Sequence, residues 1–299
     1  MCRRDRRRTG VVRDTIVIAC VTLATCASEA NRGSAHVAQA PRPWGRPTAP
    51  LSDVLTHSAL VACPARPARG TPAATALRAV TWNIGAARYA PVGDIAEELR
   101  AMRADIIALQ EVDLRLRRTG FTDQAGALAA ALGFHHVFAA SIKWDGGDYG
   151  LALLSRWPLV SVERHRLDVV GVGEPRIVLE VTVCANGRPL RVFNHHADIG
   201  GASRRSGLTR LTAIVQPSLG RGVIVAGDFN AGPDTPGVRA LLDAGLVDVG
   251  AERDEPTARN GRIDYLLADA VLITRLRRAQ VWVTDKSDHH ALVAEFRIE

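Results

Sequence analysis

The sequence predicts an α/β fold in which two packed mixed sheets are flanked by helices, a four-layer α-β-β-α sandwich. From residue 76 onward, short apolar runs typical of strands alternate with segments whose apolar residues recur at helical spacing. In the predicted strand 176–184, Ile177, Leu179, Val181 and Val183 share one face, which suits a strand packed between a partner sheet and helices. At 299 residues and 47% hydrophobic content, the chain can bury one large core or two small ones.

Residues 1–28 have the composition of an export signal. Five arginines within residues 3–8 precede an apolar run at residues 15–25, and an Arg13-Asp14 pair stands directly before it. The run is too short to span a bilayer comfortably, and small residues follow. The string Leu23-Ala24-Thr25-Cys26 is close to a bacterial lipobox, although threonine before the cysteine is less usual, so plain secretion stays open. We therefore predict an exported bacterial protein, either secreted or tethered to the membrane as a cell-surface lipoprotein through Cys26.

Residues 29–75 are predicted to form a linker. They are rich in Ala, Pro, Arg and Gly, include seven prolines, and cannot bury enough apolar surface to order themselves. A short apolar patch at 51–62 is expected to form one helix packed on the domain that follows. Beyond the signal only Cys63 and Cys184 remain, and either one disulfide or two free thiols is compatible with them.

Residues 76–299 are predicted to form the main domain. Helices are expected over 91–104, 122–132 and 203–219. Strands are expected over 134–140, 151–155, 176–184, 191–196, 223–226, 263–267 and 291–298, and two earlier apolar runs end at Asn83 and Glu111.

Six short strings place polar side chains at the ends of predicted strands. They are Val80-Thr81-Trp82-Asn83, Ile106-Ile107-Ala108-Leu109-Gln110-Glu111, Asn194-His195-His196-Ala197-Asp198, Gly227-Asp228-Phe229-Asn230, Arg262-Ile263-Asp264-Tyr265 and Ser287-Asp288-His289-His290. Carboxylate and amide oxygens suit a hard cation, which neutralises the charge that develops when a phosphate ester is cleaved. A histidine next to an aspartate, as in Asp288-His289, suits proton transfer near neutral pH.

In the order of these motifs the chain resembles the endonuclease/exonuclease/phosphatase superfamily of metal-dependent phosphoesterases, over residues 77–299. The resemblance implies the four-layer fold and a Mg²⁺ or Mn²⁺ cofactor. It implies that Glu111 is the main metal ligand, with Asn83 and Asp288 beside it, and that Asp228 orients the attacking water.

The resemblance also implies roles for five further residues. Asn230 would hold a phosphate oxygen, His289 would be the catalytic histidine, His196 would contact the scissile phosphate, Arg176 would bind phosphate, and Asp264 would support the site by hydrogen bonding. The histidine motif departs from the usual Asn-Thr-His-Leu-Asp because His195 stands at the threonine position, so which histidine points into the site stays open.

Each of these residues taken alone has an ordinary interpretation. Asp228 and Asn230 could belong to a turn, Glu111 could be a surface charge at a strand end, and His196 could be a core histidine. The agreement of all the motifs in chain order favours a functional site instead. A binding module that has lost its chemistry is disfavoured, because the metal-ligand and base residues are all present.

The net charge does not indicate binding to nucleic acid. The first 75 residues hold 11 arginines and four acidic residues, and the remainder holds 27 basic and 27 acidic residues, so the net charge of +7 lies outside the main domain. We therefore predict a monomeric phosphodiesterase that acts on a phospholipid head group or a small phosphodiester. A secreted nuclease acting on DNA or RNA and a sphingomyelinase-like hydrolase are the alternatives.

Overall fold

The computed structural model describes residues 50–63, 74–171, 173–252, 255–259 and 261–298. The predicted export signal, with Cys26, lies outside these residues, as do residues 29–49 and 64–73 of the predicted linker. No helix within the described ranges is both long and apolar enough to cross a membrane.

The described residues form thirteen strands and five α-helices. The strands are β1 (Leu55–His57), β2 (Ala76–Asn83), β3 (Ile106–Leu114), β4 (His135–Trp144), β5 (Gly147–Ser155), β6 (Leu159–Arg166), β7 (Ile177–Ala185), β8 (Arg188–His196), β9 (Val223–Asp228), β10 (Val247–Asp248), β11 (Asp264–Ala268), β12 (Leu276–Trp282) and β13 (Ala291–Arg297). The helices are α1 (Val92–Met102), α2 (Gln124–Leu132), α3 (Gly201–Val215), α4 (Pro236–Asp243) and α5 (Ala270–Ile273).

Two mixed sheets pack face to face between layers of helices, as the sequence predicts. The first sheet has the strand order β1-β4-β5-β3-β2-β13-β12 and the second has the order β10-β11-β9-β8-β7-β6. The pairs β2–β3 and β8–β9 are parallel, and the other pairs are antiparallel. Helices α1 and α2 cover the outer face of the first sheet, whereas α3 and α4 cover that of the second.

The alternation of side chains along each strand divides the core into layers. On β9, Ile224 and Ala226 face the opposite sheet, whereas Val223 and Val225 face the helices. Apolar residues occupy both faces because both are covered, which is why β9 is apolar at each of residues 223–226. The next residue in phase with Ile224 and Ala226 is Asp228, so the layer between the sheets ends in a carboxylate.

Most predicted elements are confirmed with small shifts at their ends. The three predicted helices correspond to α1, α2 and α3, and the predicted strands correspond to β2–β5, β7–β9, β11 and β13. Strands β1, β6, β10 and β12 and helices α4 and α5 were not predicted.

The prediction of a helix at residues 51–62 is wrong. This segment, together with its neighbours in residues 50–63, forms an extended strap along one edge of both sheets. Strand β1 pairs with β4 of the first sheet, and Leu60 bridges to Leu159 of β6 in the second. The strap ends at a disulfide between Cys63 and Cys184 of β7. The segment is extended because its backbone groups bond to strands that are distant in the sequence, a pairing that local apolar spacing does not reveal.

A buried amide joins the two sheets directly behind the strand-end motifs. The register of β3 on β5 shifts between Leu109 and Val112, and Asn194 of the second sheet donates hydrogen bonds to the carbonyl oxygens of Leu109 and Ala152 at that point. The side chain of Gln110 donates to Asn194 Oδ1 at 2.8 Å. Because Glu111 lies within the shifted segment, this bridge helps to fix its position.

Replacing Asn194 by alanine should lower the free energy of unfolding by roughly 1–3 kcal/mol, because two buried carbonyl oxygens lose a donor. Urea denaturation followed by circular dichroism measures the change. The exposed Gln216→Ala is a suitable control and should leave the midpoint unchanged. Equal midpoints for both variants would mean that the bridge contributes no stability.

Candidate active site

The candidate site lies where the layer between the two sheets reaches the edge of the sandwich. Asn83 ends β2, His196 ends β8 and Asp228 ends β9, and all three continue the face that packs against the opposite sheet. Asp264 begins the antiparallel strand β11 directly opposite Asp228. All four are almost completely buried, so their polar groups interact chiefly with one another.

One carboxylate oxygen of Asp228 is the centre of this cluster. Asn83 Nδ2 donates to Asp228 Oδ2 at 3.1 Å, and the Nε2 atoms of His196 and His289 lie 3.4 Å and 3.8 Å from the same oxygen. The backbone N–H of Asn230 donates to the other oxygen at 2.9 Å. Burial and the nearby Asp264 raise the pKa of Asp228 to about 7, although His289 and the hydrogen bonds oppose this rise.

The backbone around Asp228 is specialised for this geometry. Gly227 has a φ of +148°, and a Cβ atom there would lie 1.9 Å from the carbonyl oxygen of His195, so no larger residue fits. Asn230 has a φ of +48°, which turns the chain sharply after the strand. The side-chain amide of Asn230 donates to the carbonyl oxygen of Ala197, which ties this turn to the end of β8.

His289 is oriented by Asp264. Its Nδ1 lies 3.0 Å from Asp264 Oδ2, so Nδ1–H donates to the carboxylate and Nε2 faces Asp228. The Trp82 indole donates to the carbonyl oxygen of His289 at 3.0 Å, which holds the backbone of the loop. Burial lowers the pKa of His289, but the carboxylates of Asp264 and its neighbours outweigh that effect and raise it to about 10.

Glu111 lies on the other side of Asn83. It sits in the irregular part of β3 with a φ of +52°, Asn83 Nδ2 donates to its Oε1 at 3.3 Å, and Arg88 Nη2 donates to its Oε2 at 3.3 Å. Asp288 borders the same region, since a Cβ atom on Gly85 would lie 3.2 Å from Asp288 Oδ1. The three predicted metal ligands, Asn83, Glu111 and Asp288, therefore border one part of the cleft.

The donor set fits a hard divalent cation. The predicted ligands supply carboxylate and amide oxygens, which Mg²⁺ and Mn²⁺ prefer. Ligand atoms of Asp228, Asp264 and His289 also lie within 4.8 Å of one another, which is a second group compatible with a metal. Asp264 Oδ1 is buried and accepts no hydrogen bond from the described residues, so this cluster has capacity for a positive partner.

The structure decides between the two histidines of the motif. His196 shares the face of Asn194 and points at Asp228. His195 points the other way, where its Nδ1 donates to the carbonyl oxygen of Ile177 at 2.9 Å, and burial lowers its pKa to about 4. His196 is therefore the histidine within the site.

Arg176 lies behind His196 rather than at the surface. Its Nη1 donates to His196 Nδ1 at 3.1 Å and lies 3.0 Å from Glu174 Oε1. The side chains of Arg176 and Glu174 are almost completely buried. The guanidinium thus contacts two residues of the protein at the base of the cleft.

Two residues of the site were missed by the sequence analysis. Arg88 follows a turn in which Ala86 and Ala87 have positive φ values, and nothing in the local sequence indicates that the guanidinium returns to Glu111. Glu174 stands two residues before Arg176, and an acidic residue so close to a predicted arginine was a signal that could have been used.

Comparisons with known proteins give one family match. A sequence model of the Endonuclease/Exonuclease/phosphatase family matches residues 80–289, a range that contains all nine predicted site residues. No curated protein matches the chain significantly.

Solved structures share the fold. The catalytic domain of human Nocturnin with bound sulfate is 23% identical with a TM-score of 0.60, covering 75% of this chain and 94% of that one. A mannosyl-6-phosphatase of Bacteroides thetaiotaomicron is 18% identical with a TM-score of 0.60, covering 74% and 100%. An AP endonuclease of Archaeoglobus fulgidus is 21% identical with a TM-score of 0.59, covering 74% and 100%.

Proposed function

The chain belongs to the Endonuclease/Exonuclease/phosphatase family, and from that premise we propose that it is an exported, divalent-metal-dependent phosphoesterase that hydrolyses phosphodiesters. The observation that carries the proposal is the convergence of Asn83, His196 and His289 on Asp228 Oδ2, with Asp264 orienting His289. A buried carboxylate that faces two imidazoles is suited to accept and return protons during hydrolysis.

Glu111, Asn83 and Asp288 would hold the cation, because their side chains carry oxygen ligands and border the same part of the cleft. When bound, Mg²⁺ or Mn²⁺ neutralises the charge that develops on the phosphate and lowers the pKa of nearby water. Arg88 contributes a positive charge on the same side through its bond to Glu111.

The residues around Asp228 would perform the proton transfers. Asp228 Oδ2 orients the attacking water and accepts its proton. His289, held by Asp264, keeps its proton on Nδ1, and its Nε2 serves acid/base transfer toward the reacting oxygens. Asn230 bonds to Ala197 through its side-chain amide, and we propose that the second N–H of this amide holds a phosphate oxygen.

Exposed apolar side chains near the site residues in the chain support the proposal of a lipid substrate over nucleic acid. Tyr89 follows Arg88, Ile199 lies three residues after His196, and Val170 lies six residues before Arg176. Exposed apolar side chains beside a cleft suit a phospholipid head group presented at a membrane surface. The balanced charge of residues 76–299 offers no comparable support for a nuclease, which remains the second candidate.

The disulfide supports the proposed export. Bonds such as Cys63–Cys184 persist in oxidising compartments and are rare in the cytosol. We propose a monomer that is secreted or anchored at the cell surface through Cys26. Fractionation of a bacterial host that expresses the full chain, beside Cys26→Ala, tests this: membrane retention lost in the variant supports the anchor, and cytosolic accumulation of both contradicts export.

The full chain should hydrolyse bis-p-nitrophenyl phosphate in the presence of Mg²⁺ or Mn²⁺, and EDTA should reduce the rate by at least about 100-fold. Release of p-nitrophenol measures the rate, and added Mg²⁺ should restore it. Parallel assays with sphingomyelin and plasmid DNA distinguish the two substrate classes. Turnover that is insensitive to EDTA would contradict the metal requirement, and no turnover of any substrate would favour a binding module.

A further inference from the structure

Four side chains form a continuous line of contacts that enters the site from behind. Glu174 Oε1 lies 3.0 Å from Arg176 Nη1, which donates to His196 Nδ1 at 3.1 Å. His196 Nε2 in turn lies 3.4 Å from Asp228 Oδ2. Glu174 and Arg176 lie just before β7, whereas His196 and Asp228 end β8 and β9, so the line runs past the ends of three adjacent strands.

The middle contact fixes where His196 carries its proton. A guanidinium has only N–H donors and keeps its proton throughout the accessible pH range, so Nδ1 of His196 must accept. A neutral imidazole that accepts at one nitrogen carries its proton on the other. His196 therefore presents Nε2–H to Asp228 and the cleft, which makes it a hydrogen-bond donor toward a phosphate oxygen.

Glu174 is what allows Arg176 to occupy this position. The guanidinium is almost completely buried, and its Nε and Nη2 atoms have no hydrogen-bond partner among the described residues. A buried cation needs a nearby opposite charge, and the carboxylate of Glu174 lies against it. Burial lowers the pKa of Arg176, but Glu174 and other neighbours raise it above its ordinary value, so the guanidinium stays charged.

We propose that Glu174 is a positioning residue of the active site: it holds Arg176 against His196 and so keeps His196 in the tautomer with the proton on Nε2. This rests on the proposed function for its catalytic consequence. In this arrangement Arg176 acts through His196, whereas Asp228 and His289 transfer the protons.

The tautomer is measured directly by two-bond ¹H–¹⁵N correlation spectra of the full chain labelled with ¹⁵N-histidine, in EDTA and in Mg²⁺. The signals of His196 are identified by their loss in His196→Gln. We expect the Nε2–H pattern in the unaltered protein. The Nδ1–H pattern would overturn the proposal without any variant being needed.

Glu174→Gln should then shift His196 toward a mixture of tautomers. It should also lower kcat for bis-p-nitrophenyl phosphate by about 10- to 100-fold with little change in KM, the range found when a residue that orients a catalytic group is removed. Glu174→Asp should restore part of kcat because it retains the charge. Glu163→Gln, at an exposed position on the neighbouring strand β6, is the matched control and should change neither property.

A folded Glu174→Gln protein with unchanged tautomer and kcat would refute the positioning role. If that variant does not fold, the tautomer of the unaltered protein still decides the matter. Because the spectra are recorded on the resting protein, they test the positioning even if no phosphodiester is hydrolysed, a result that would count against the proposed function alone.

Discussion

Replacing Asp228 by asparagine should lower kcat for phosphodiester hydrolysis by about 10²- to 10⁴-fold, the contribution expected of a group that transfers protons in the transition state. Asparagine has nearly the same shape but no negative charge. Its amide would also place N–H groups toward Asn83 and the two histidines, which now converge on a carboxylate oxygen. KM should change far less than kcat, because substrate binding depends on other groups.

Steady-state kinetics with Mg²⁺ measures this effect, and circular dichroism establishes that the variant is folded. Asp234→Asn is the matched control: Asp234 lies on the following loop, is largely exposed and pairs with Arg239 outside the cleft. The control should retain full turnover. Loss of a proton-transfer group is expected to reduce turnover by at least about 100-fold. If Asp228→Asn keeps more than about a tenth of the turnover, Asp228 therefore has a structural role instead.

Removing the disulfide should produce the largest change in stability. The double variant Cys63→Ala, Cys184→Ala should lower the free energy of unfolding by about 2–5 kcal/mol. The two cysteines are 121 residues apart, so the bond restricts a long loop in the unfolded chain. In the folded state the bond also secures the strap whose Ser52 donates to Asp148 at 2.5 Å.

Urea denaturation of the oxidised protein and of the double variant gives the difference in unfolding free energy. The unaltered protein in the presence of a reductant is the internal control and should unfold like the double variant. If oxidised and reduced protein unfold at the same urea concentration, the bond does not stabilise the fold. Activity of the folded double variant should be unchanged, because neither cysteine contacts the site.

Much of the site could be predicted because its residues extend simple patterns. Asp228 follows Ile224 and Ala226 at the same two-residue spacing. Because side chains alternate along a strand, this spacing predicts which residue at the end of a buried strand faces the other sheet. The same reasoning applies to the two histidines. Leu190 and Val192 face the opposite sheet, and counting onward in steps of two leads to His196 and not to His195.

Other features depend on contacts that the sequence does not display. Strand β6 lies at a sheet edge, and most of its residues are partly or fully exposed, so it lacks the apolar pattern of the central strands. The strap was wrongly predicted to be helical because its pairing with β4 cannot be seen in the local sequence. That pairing joins residues about eighty positions apart. Arg88 reaches Glu111 only because an irregular turn brings it back toward β3.

The strap also determines which shortened chains can be studied. A chain that begins at residue 76 would leave β4 as a bare edge strand and uncover β6, where Asp53 now pairs with Arg164. Unpaired strand edges recruit strands from other molecules, and the thiol of Cys184 would be free to form disulfides between them. Aggregation of such a fragment would therefore reflect the missing strap. Recombinant forms of the protein should begin before residue 50.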